Sequence, residues 1–230
     1  MENAGCGYRG VMELDRRMNS LVAFYFSKGV AHEFSRGVAH KPHGDEAIRV
    51  VSKRAYRDLA RTLRGIGSHP SAERIKRNVE DSVLSFVESL KEIGDQDRFD
   101  IAHQAWCEGV VEMVNAEEHP QRPTFKFHYG QAQKWLNMTL KYLAVLDHSA
   151  IGKVYQYLHA PVDRIIYDRG KETLEVTPPN GAWSTLGGAD YRQYQTQLRE
   201  AIKDKAWDCV MDWEADAWTS EGEEPAAQEP

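Results

Sequence analysis

The sequence predicts a mainly α-helical fold of about six to seven helices with one small β-hairpin near residues 164–177. Apolar residues recur at spacings of three and four over most of the chain, which is the period of an amphipathic helix. Residues that start or stop helices bound several of these segments; Asp45, for example, precedes one segment and Gly65 follows it. After Pro161 the helical period is interrupted, and two short segments flank an Asp-Arg-Gly turn, which favours a hairpin.

Seven segments are predicted to be helical from this period and from their bounding residues. In chain order they are Val11–Lys28, Asp45–Gly65, Ser71–Ile93, Asp97–Asn115, Tyr129–Leu146, Ile151–Leu158 and Asp190–Trp213. No linker divides them cleanly, so residues 1–219 are expected to form a single α-rich domain. The acidic segment 220–230 lacks apolar residues that could anchor it, and we expect it to be disordered.

The composition is that of an ordinary globular protein. Of 230 residues, 41% are hydrophobic and 28% are charged, and no apolar run approaches the ~20 residues that a membrane span needs. The first residues lack the apolar core of a secretory signal. The three cysteines are far apart and form no CxxC motif, which disfavours a disulfide framework and a structural zinc site. We therefore expect a cytoplasmic protein that holds no metal and no cofactor.

The net charge of −6 conceals an asymmetry between the two parts of the chain. Residues 1–77 hold 15 Lys/Arg and 8 Asp/Glu, a net of +7, whereas residues 78–230 hold 14 and 27, a net of −13. Such an asymmetry favours a polyanion partner for the basic part, or a contact between the two parts.

The predicted helix Asp45–Gly65 carries a stripe of cations. They are Arg49, Lys53, Arg57, Arg61 and Arg64. Their spacings of four, four, four and three place them on one side of the helix, and apolar residues occupy the opposite side. Like charges at this spacing repel each other, and phosphates would relieve the repulsion. The stripe predicts nucleic-acid binding; the alternatives are a solvated face and docking against the acidic part of the chain.

The predicted helix Tyr129–Leu146 is apolar on most sides but carries Gln133, Asn137 and Lys141 at intervals of four. A helix of this kind is usually central, and its amides must then be hydrogen-bonded, for instance to neighbouring backbone. These side chains are expected to lie in the interior.

A compact polar group follows that helix. His159, Asp163 and Arg164 lie within six residues on a turn stiffened by Pro161. A carboxylate can orient an imidazole and raise its pKa, so His159 and Asp163 are candidates for general acid–base catalysis in a hydrolase. The alternative is that Asp163 caps the turn and Arg164 forms an ion pair at the surface.

Two stretches place a histidine five positions after an arginine, namely Arg64–His69 and Arg98–His103. This spacing resembles the Arg-x4–6-His signature of the HEPN helical ribonucleases, a family of often dimeric helical bundles. The resemblance covers six residues and implies cleavage of RNA without a metal, by Arg98 and His103. The family usually has a polar residue after the arginine, where this chain has Gly65 or Phe99.

We therefore expect an accessory or regulatory protein that binds nucleic acid or another polyanion. The enzyme alternatives are the metal-independent ribonuclease and the hydrolase described above. A third alternative is an interaction subunit, because residues 204–230 combine 9 acidic residues with Trp207, Trp213 and Trp218, which could anchor a protein partner or pack on the core.

Overall fold

The computed structural model describes residues 44–60, 62–63 and 65–219, and it leaves the side chains of residues 218 and 219 undescribed. These residues form seven α-helices and no β-strand. The helices are α1 (Gly44–Leu59), α2 (Ala72–Ser89), α3 (Gln96–Asn115), α4 (Tyr129–Val145), α5 (Arg164–Leu174), α6 (Gly188–Ile202) and α7 (Val210–Thr219). Four short 3₁₀ helices, Ile66–Ser68, Leu90–Glu92, Tyr155–Tyr157 and Trp183–Thr185, lie between them.

Helix α4 is the centre of the fold, as the sequence predicts. It packs against α1, α3 and α6 and against the 3₁₀ helix Trp183–Thr185. Every residue from Tyr129 to Leu143 is buried. The indole of Trp135 is fully buried, stacks at a tilt on Tyr56 and donates its hydrogen to the hydroxyl of Ser52 at 3.1 Å. A buried indole without an acceptor would be costly, so Ser52 fixes how α1 lies on α4.

Four predicted helices are confirmed, namely those that correspond to α1, α2, α3 and α4, although α1 and α2 end several residues before the predicted positions. Helix α3 begins after Asp95, whose carboxylate accepts a hydrogen bond from the backbone N–H of Arg98 at 2.8 Å. Helix α1 ends at Leu59 and does not reach Gly65. The chain continues through turns in which a backbone N–H donates to the carbonyl three residues earlier. The predicted helix Val11–Lys28 and the tail 220–230 lie outside the described residues.

The predicted β-hairpin at 164–177 is wrong, because this segment forms helix α5. Asp163 caps its first turn by accepting from the backbone N–H of Ile166 at 3.0 Å. Gly170, which suggested a turn, lies inside the helix: a Cβ there would come within 2.4 Å of the Tyr194 hydroxyl. The absence of a side chain at Gly170 allows α5 and α6 to approach closely, and the chain does not reverse direction there. Glu175 then ends the helix with a left-handed φ of 58°.

Two further boundaries differ from the predictions. The predicted helix Ile151–Leu158 is a series of turns that ends in a 3₁₀ helix. The predicted helix Asp190–Trp213 is interrupted after Ile202, and α7 begins at Val210. Residues 203–206 are exposed and three of the four are charged, so they could not extend the buried face of α6. The interruption lets α7 pack on both α5 and α6, where Trp213 donates to the hydroxyl of Thr173 at 2.9 Å.

Candidate functional site

The polar side chains of α4 bind a buried extended segment, residues 158–162. Gln133 donates to the carbonyl of Val162 at 2.9 Å and accepts from its N–H at 3.2 Å. Lys134 donates to the carbonyl of Pro161 at 2.9 Å, and Gln195 of α6 binds both backbone groups of Ala160. A buried backbone outside helices and sheets needs such partners. The side-chain amides of Gln133 and Gln195 therefore supply this segment with the backbone hydrogen bonds that a neighbouring strand would supply in a sheet.

Asn137 lies at the centre of a second set of contacts. Its carbonyl oxygen is 2.9 Å from Nε2 of His103, and its nitrogen donates to the Tyr191 hydroxyl at 2.7 Å and to Gln133 at 3.0 Å. The Tyr191 hydroxyl is in turn 2.9 Å from Nδ1 of His159. We call Cys107, His103, Asn137, Tyr191, His159 and Asp100 the polar chain. It joins α3, α4, α6 and the extended segment.

The hydrogen bonds of the polar chain run in one direction. The amide oxygen of Asn137 can only accept, so Nε2 of His103 carries a hydrogen and Nδ1 faces the Cys107 thiol at 3.7 Å. Tyr191 accepts from Asn137 and gives its own hydrogen to Nδ1 of His159. His159 then donates from Nε2 to Asp100 at 2.8 Å. Both histidines are thus neutral, and each has both ring nitrogens engaged.

The electrostatics of the polar chain agree with this arrangement. Burial lowers the pKa of His103 well below its ordinary value, and the proximity of His159 adds to that effect. Burial also lowers the pKa of His159, although the hydrogen bond to Asp100 opposes it. Burial alone would raise the pKa of Asp100, but its contacts with His159, Gln96 and Arg199 outweigh burial and lower that pKa to about 2. The negative charge therefore stays on Asp100.

The structure does not bring His159 together with Asp163. The carboxylate of Asp163 caps α5 and pairs with Lys134 at 2.7 Å, which matches the alternative interpretation of this residue. The carboxylate partner of His159 is Asp100, which lies 59 residues earlier on α3. Arg164 begins α5 and is exposed. No short motif in the sequence could have identified Asp100, because the contact depends on how α3 packs.

Arg98 and His103 point in different directions from α3. The side chain of Arg98 is 68% exposed and lies 3.5 Å from Asp95, whereas His103 is buried in the polar chain. Five residues along an α-helix correspond to a rotation of ~140°, so the two side chains leave α3 in different directions.

The polar chain reaches the surface at Arg199. Its guanidinium donates to Asp100 at 2.9 Å and lies 3.3 Å from Nε2 of His159. Arg199 also lines an open pocket of about 450 Å³, together with Lys203, Lys205 and Trp207. His159 itself is buried behind this arginine.

The described part of the predicted cation stripe is exposed or half-exposed, and the opposite face of α1 is buried, as predicted. Arg49 pairs with Asp81 of α2 at 2.8 Å, and Lys53 lies 4.0 Å from Glu80. Arg57 is exposed and has no ion pair with the described residues. Arg61 and Arg64 lie outside the described residues.

Helix α2 adds three cations that sequence reasoning missed, Arg74, Lys76 and Arg77. Lys76 pairs with Glu73 and lies 5.4 Å from the centre of the Tyr56 ring. Contact with Lys76, with contributions from Arg77 and Lys53, lowers the pKa of Glu73, so cations of both helices surround that carboxylate. In the sequence these cations form the run Arg74-Ile-Lys-Arg77. They add to the charge of α1 only because α2 packs beside it.

The described apolar side chains Met211 and Trp213 of α7 are directed inward and buried. Trp207, which precedes α7, donates to Asp216 at 2.7 Å. Glu214, fully buried, pairs with Lys141 of α4 at 2.6 Å. The described part of α7 thus completes the core of this chain.

Among the described residues, no group of three or more His, Cys, Asp or Glu side chains could hold a metal ion, and no helix is long and apolar enough to cross a membrane. Comparison with known proteins finds no matching family model, no matching curated protein and no matching solved structure.

Proposed function

We propose that this protein binds nucleic acid through a basic face formed by α1 and α2. The face comprises Arg49, Lys53, Arg57, Arg74, Lys76 and Arg77. The observation that carries the proposal is that Arg57 and Arg77 are both exposed and have no ion pair with the described residues. Their guanidinium groups are free to bind phosphates.

The carboxylates near this face only partly offset its charge. Glu73, Glu80, Asp81 and Glu117 contact four of the six cations. Glu80 is buried and lies 4.0 Å from Lys53, whereas the other three pairs lie at the surface. Surface ion pairs contribute little free energy, so a phosphate can replace their carboxylates without a large loss. Each cation that contacts a phosphate releases counterions from the nucleic acid, which favours binding at low salt.

The polar chain favours a structural role for His159 over catalysis. A general base needs a ring nitrogen within reach of substrate, whereas His159 and His103 are buried and their ring nitrogens contact other residues of the polar chain. A non-catalytic accessory or regulatory factor is therefore the proposed role.

The proposal predicts a salt dependence. For an RNA or DNA oligonucleotide, log affinity should fall linearly with log salt, with a slope of roughly −0.7 to −0.9 per phosphate contacted. The double variant Arg57→Gln and Arg77→Gln should flatten the slope by about 1–2 and weaken binding at low salt. Fluorescence anisotropy at several salt concentrations measures both quantities.

The matched control is Lys153→Gln with Lys171→Gln, which removes the same charge from exposed positions away from α1 and α2. It should leave the slope unchanged, and both double variants should unfold within about 0.5 kcal/mol of the original protein. Equal slopes in all three proteins would refute the basic face as the binding surface. Cleavage of RNA that persists in EDTA would instead favour the metal-independent ribonuclease.

A further inference from the structure

A pocket of about 470 Å³ lies beyond the C-terminal end of α1, beside the loop whose Glu117 pairs with Arg74 of the basic face. Three separate parts of the chain line it: the turn after α1 with Thr62, the loop between α3 and α4, and Ser184 before α6. We call it the loop pocket. Because α1 runs from the basic face toward Thr62, a ligand that follows the helix would reach this pocket next.

Fixed contacts hold the walls of the loop pocket. His69 accepts from the backbone N–H of Ser71 at Nδ1, so its Nε2 carries a hydrogen and donates to the carbonyl of Glu118 at 3.1 Å. His119 lies 3.1 Å from the hydroxyl of Ser68. Gln131 of α4 donates to the carbonyl of Thr62 at 2.8 Å. These bonds join the loop, the turn and the central helix, so the pocket exists before a ligand binds.

Phe125 supplies an aromatic wall. Its ring lies directly on the backbone of Gly65, where an added Cβ would come within 1.9 Å of the ring. Glycine at this position therefore lets the ring lie against the chain, and the ring remains partly exposed in the pocket. A half-exposed ring with one side fixed is a surface on which a planar ligand can stack.

The remaining lining is polar and carries positive charge. Arg122 and Lys126 provide the charge, and Gln121, Thr124 and Ser184 provide amide and hydroxyl groups. No carboxylate is among the described lining residues. The pocket thus combines an aromatic ring, two cations and several neutral hydrogen-bonding groups, which match a base, a phosphate and a sugar.

We infer that the loop pocket binds one nucleotide of a single-stranded nucleic acid, with its base on Phe125 and its phosphate at Lys126. This inference rests on the proposed function and adds that single strands are preferred to duplexes. A base inside a duplex is already stacked on both faces, so it cannot lie on Phe125 without leaving the stack. The basic face would contact the phosphates of neighbouring nucleotides.

The test compares a single strand of about 12 nucleotides with a duplex of the same sequence. The original protein should bind the single strand more tightly. Phe125→Leu keeps an apolar side chain on Gly65 but removes the stacking surface, and it should weaken single-strand binding about 5- to 100-fold without changing the salt slope. Lys126→Gln should instead flatten the slope by somewhat less than 1.

Tyr157→Leu is the matched aromatic control. Tyr157 is half-exposed and bonds to Gly94 near the start of α3, whereas the loop pocket lies beyond the end of that 20-residue helix. This variant should bind like the original protein. Photocrosslinking of a 4-thiouridine strand to the original protein gives a second measurement, with attachment expected in the segment 121–126.

The outcomes separate this inference from the proposed function. If Phe125→Leu binds the single strand as well as the original protein does, or crosslinks fall outside the loop, the loop pocket is not the nucleotide site. The basic face would still stand if Arg57→Gln with Arg77→Gln weakens binding. If the original protein binds neither strand nor duplex at low salt, the proposed function fails, and the inference with it.

Discussion

The polar chain and the basic face use similar chemical groups in opposite ways. In the polar chain each hydrogen-bond donor meets one acceptor in the interior, from Cys107 through to Asp100. On the basic face, cations exceed the carboxylates beside them, and Arg57 and Arg77 remain exposed. A group whose bonds are complete stabilises a fold, whereas a group with spare donors can bind something else. The first region is therefore expected to govern stability and the second to govern binding.

The largest effect should come from the buried ion pair between α4 and α7. Lys141→Met would leave Glu214 as a buried charge without this partner, and we expect a loss of about 3–5 kcal/mol in the free energy of unfolding. Adding Glu214→Leu should restore most of that loss, since two apolar side chains can replace a buried pair. Denaturant unfolding measures both variants.

The exposed pair Lys203–Glu200 is the control for that experiment, because both of its side chains are more than 60% exposed. Lys203→Met should change stability by less than about 1 kcal/mol. Equal effects of Lys141→Met and Lys203→Met would contradict the distinction between interior and surface.

A smaller loss is expected at the centre of the polar chain. Asn137→Leu preserves approximate volume but leaves His103, Tyr191 and Gln133 without their Asn137 bonds. Tyr191 and Gln133 keep other bonds, so only the Nε2 hydrogen of His103 loses its acceptor, and one buried group left unsatisfied should cost about 1–3 kcal/mol. Asn78→Leu, at an exposed position of α2, should cost less than about 0.5 kcal/mol. A fully stable Asn137→Leu protein would show that the polar chain contributes nothing to folding.

The smallest effect is a dependence of stability on pH. Burial lowers the pKa of His103 and His159 below the value of 6.5 for an exposed histidine. As pH falls below ~6.5, the unfolded chain therefore takes up protons that the folded protein does not, and stability decreases. For each histidine, the free energy of unfolding can decrease by at most about 1.4 kcal/mol per pH unit.

Unfolding measurements between about pH 7.5 and 5.5 test this sign, over a range above the ordinary titration of carboxylates. Nitrogen-15 spectra should show His159 neutral with its hydrogen on Nε2 at the higher pH. Stability that stays constant or increases on acidification would contradict the buried neutral histidines.

Local periodicity predicted the helices with a clear apolar face. The residues Val51, Ala55 and Leu59 recur at intervals of four, and they are buried as that period requires. The prediction was wrong at 164–177, because Gly170 was interpreted as a turn residue and the segment as a hairpin. Only the approach of Tyr194 explains why a glycine stands there inside a helix.

In the candidate site, too, some features follow from local pattern and others only from the packing of helices. The sequence by itself determined that Asn137 and Gln133 would be buried with partners, because an apolar helix cannot expose them. It also determined that Lys53 and Arg57 share one side of α1, since that follows from the helical repeat. Tertiary structure decided that His159 meets Asp100 instead of Asp163, and that α2 places Arg77 beside the α1 cations. These contacts join residues far apart in the chain, and their formation depends on how helices pack, which no local pattern encodes.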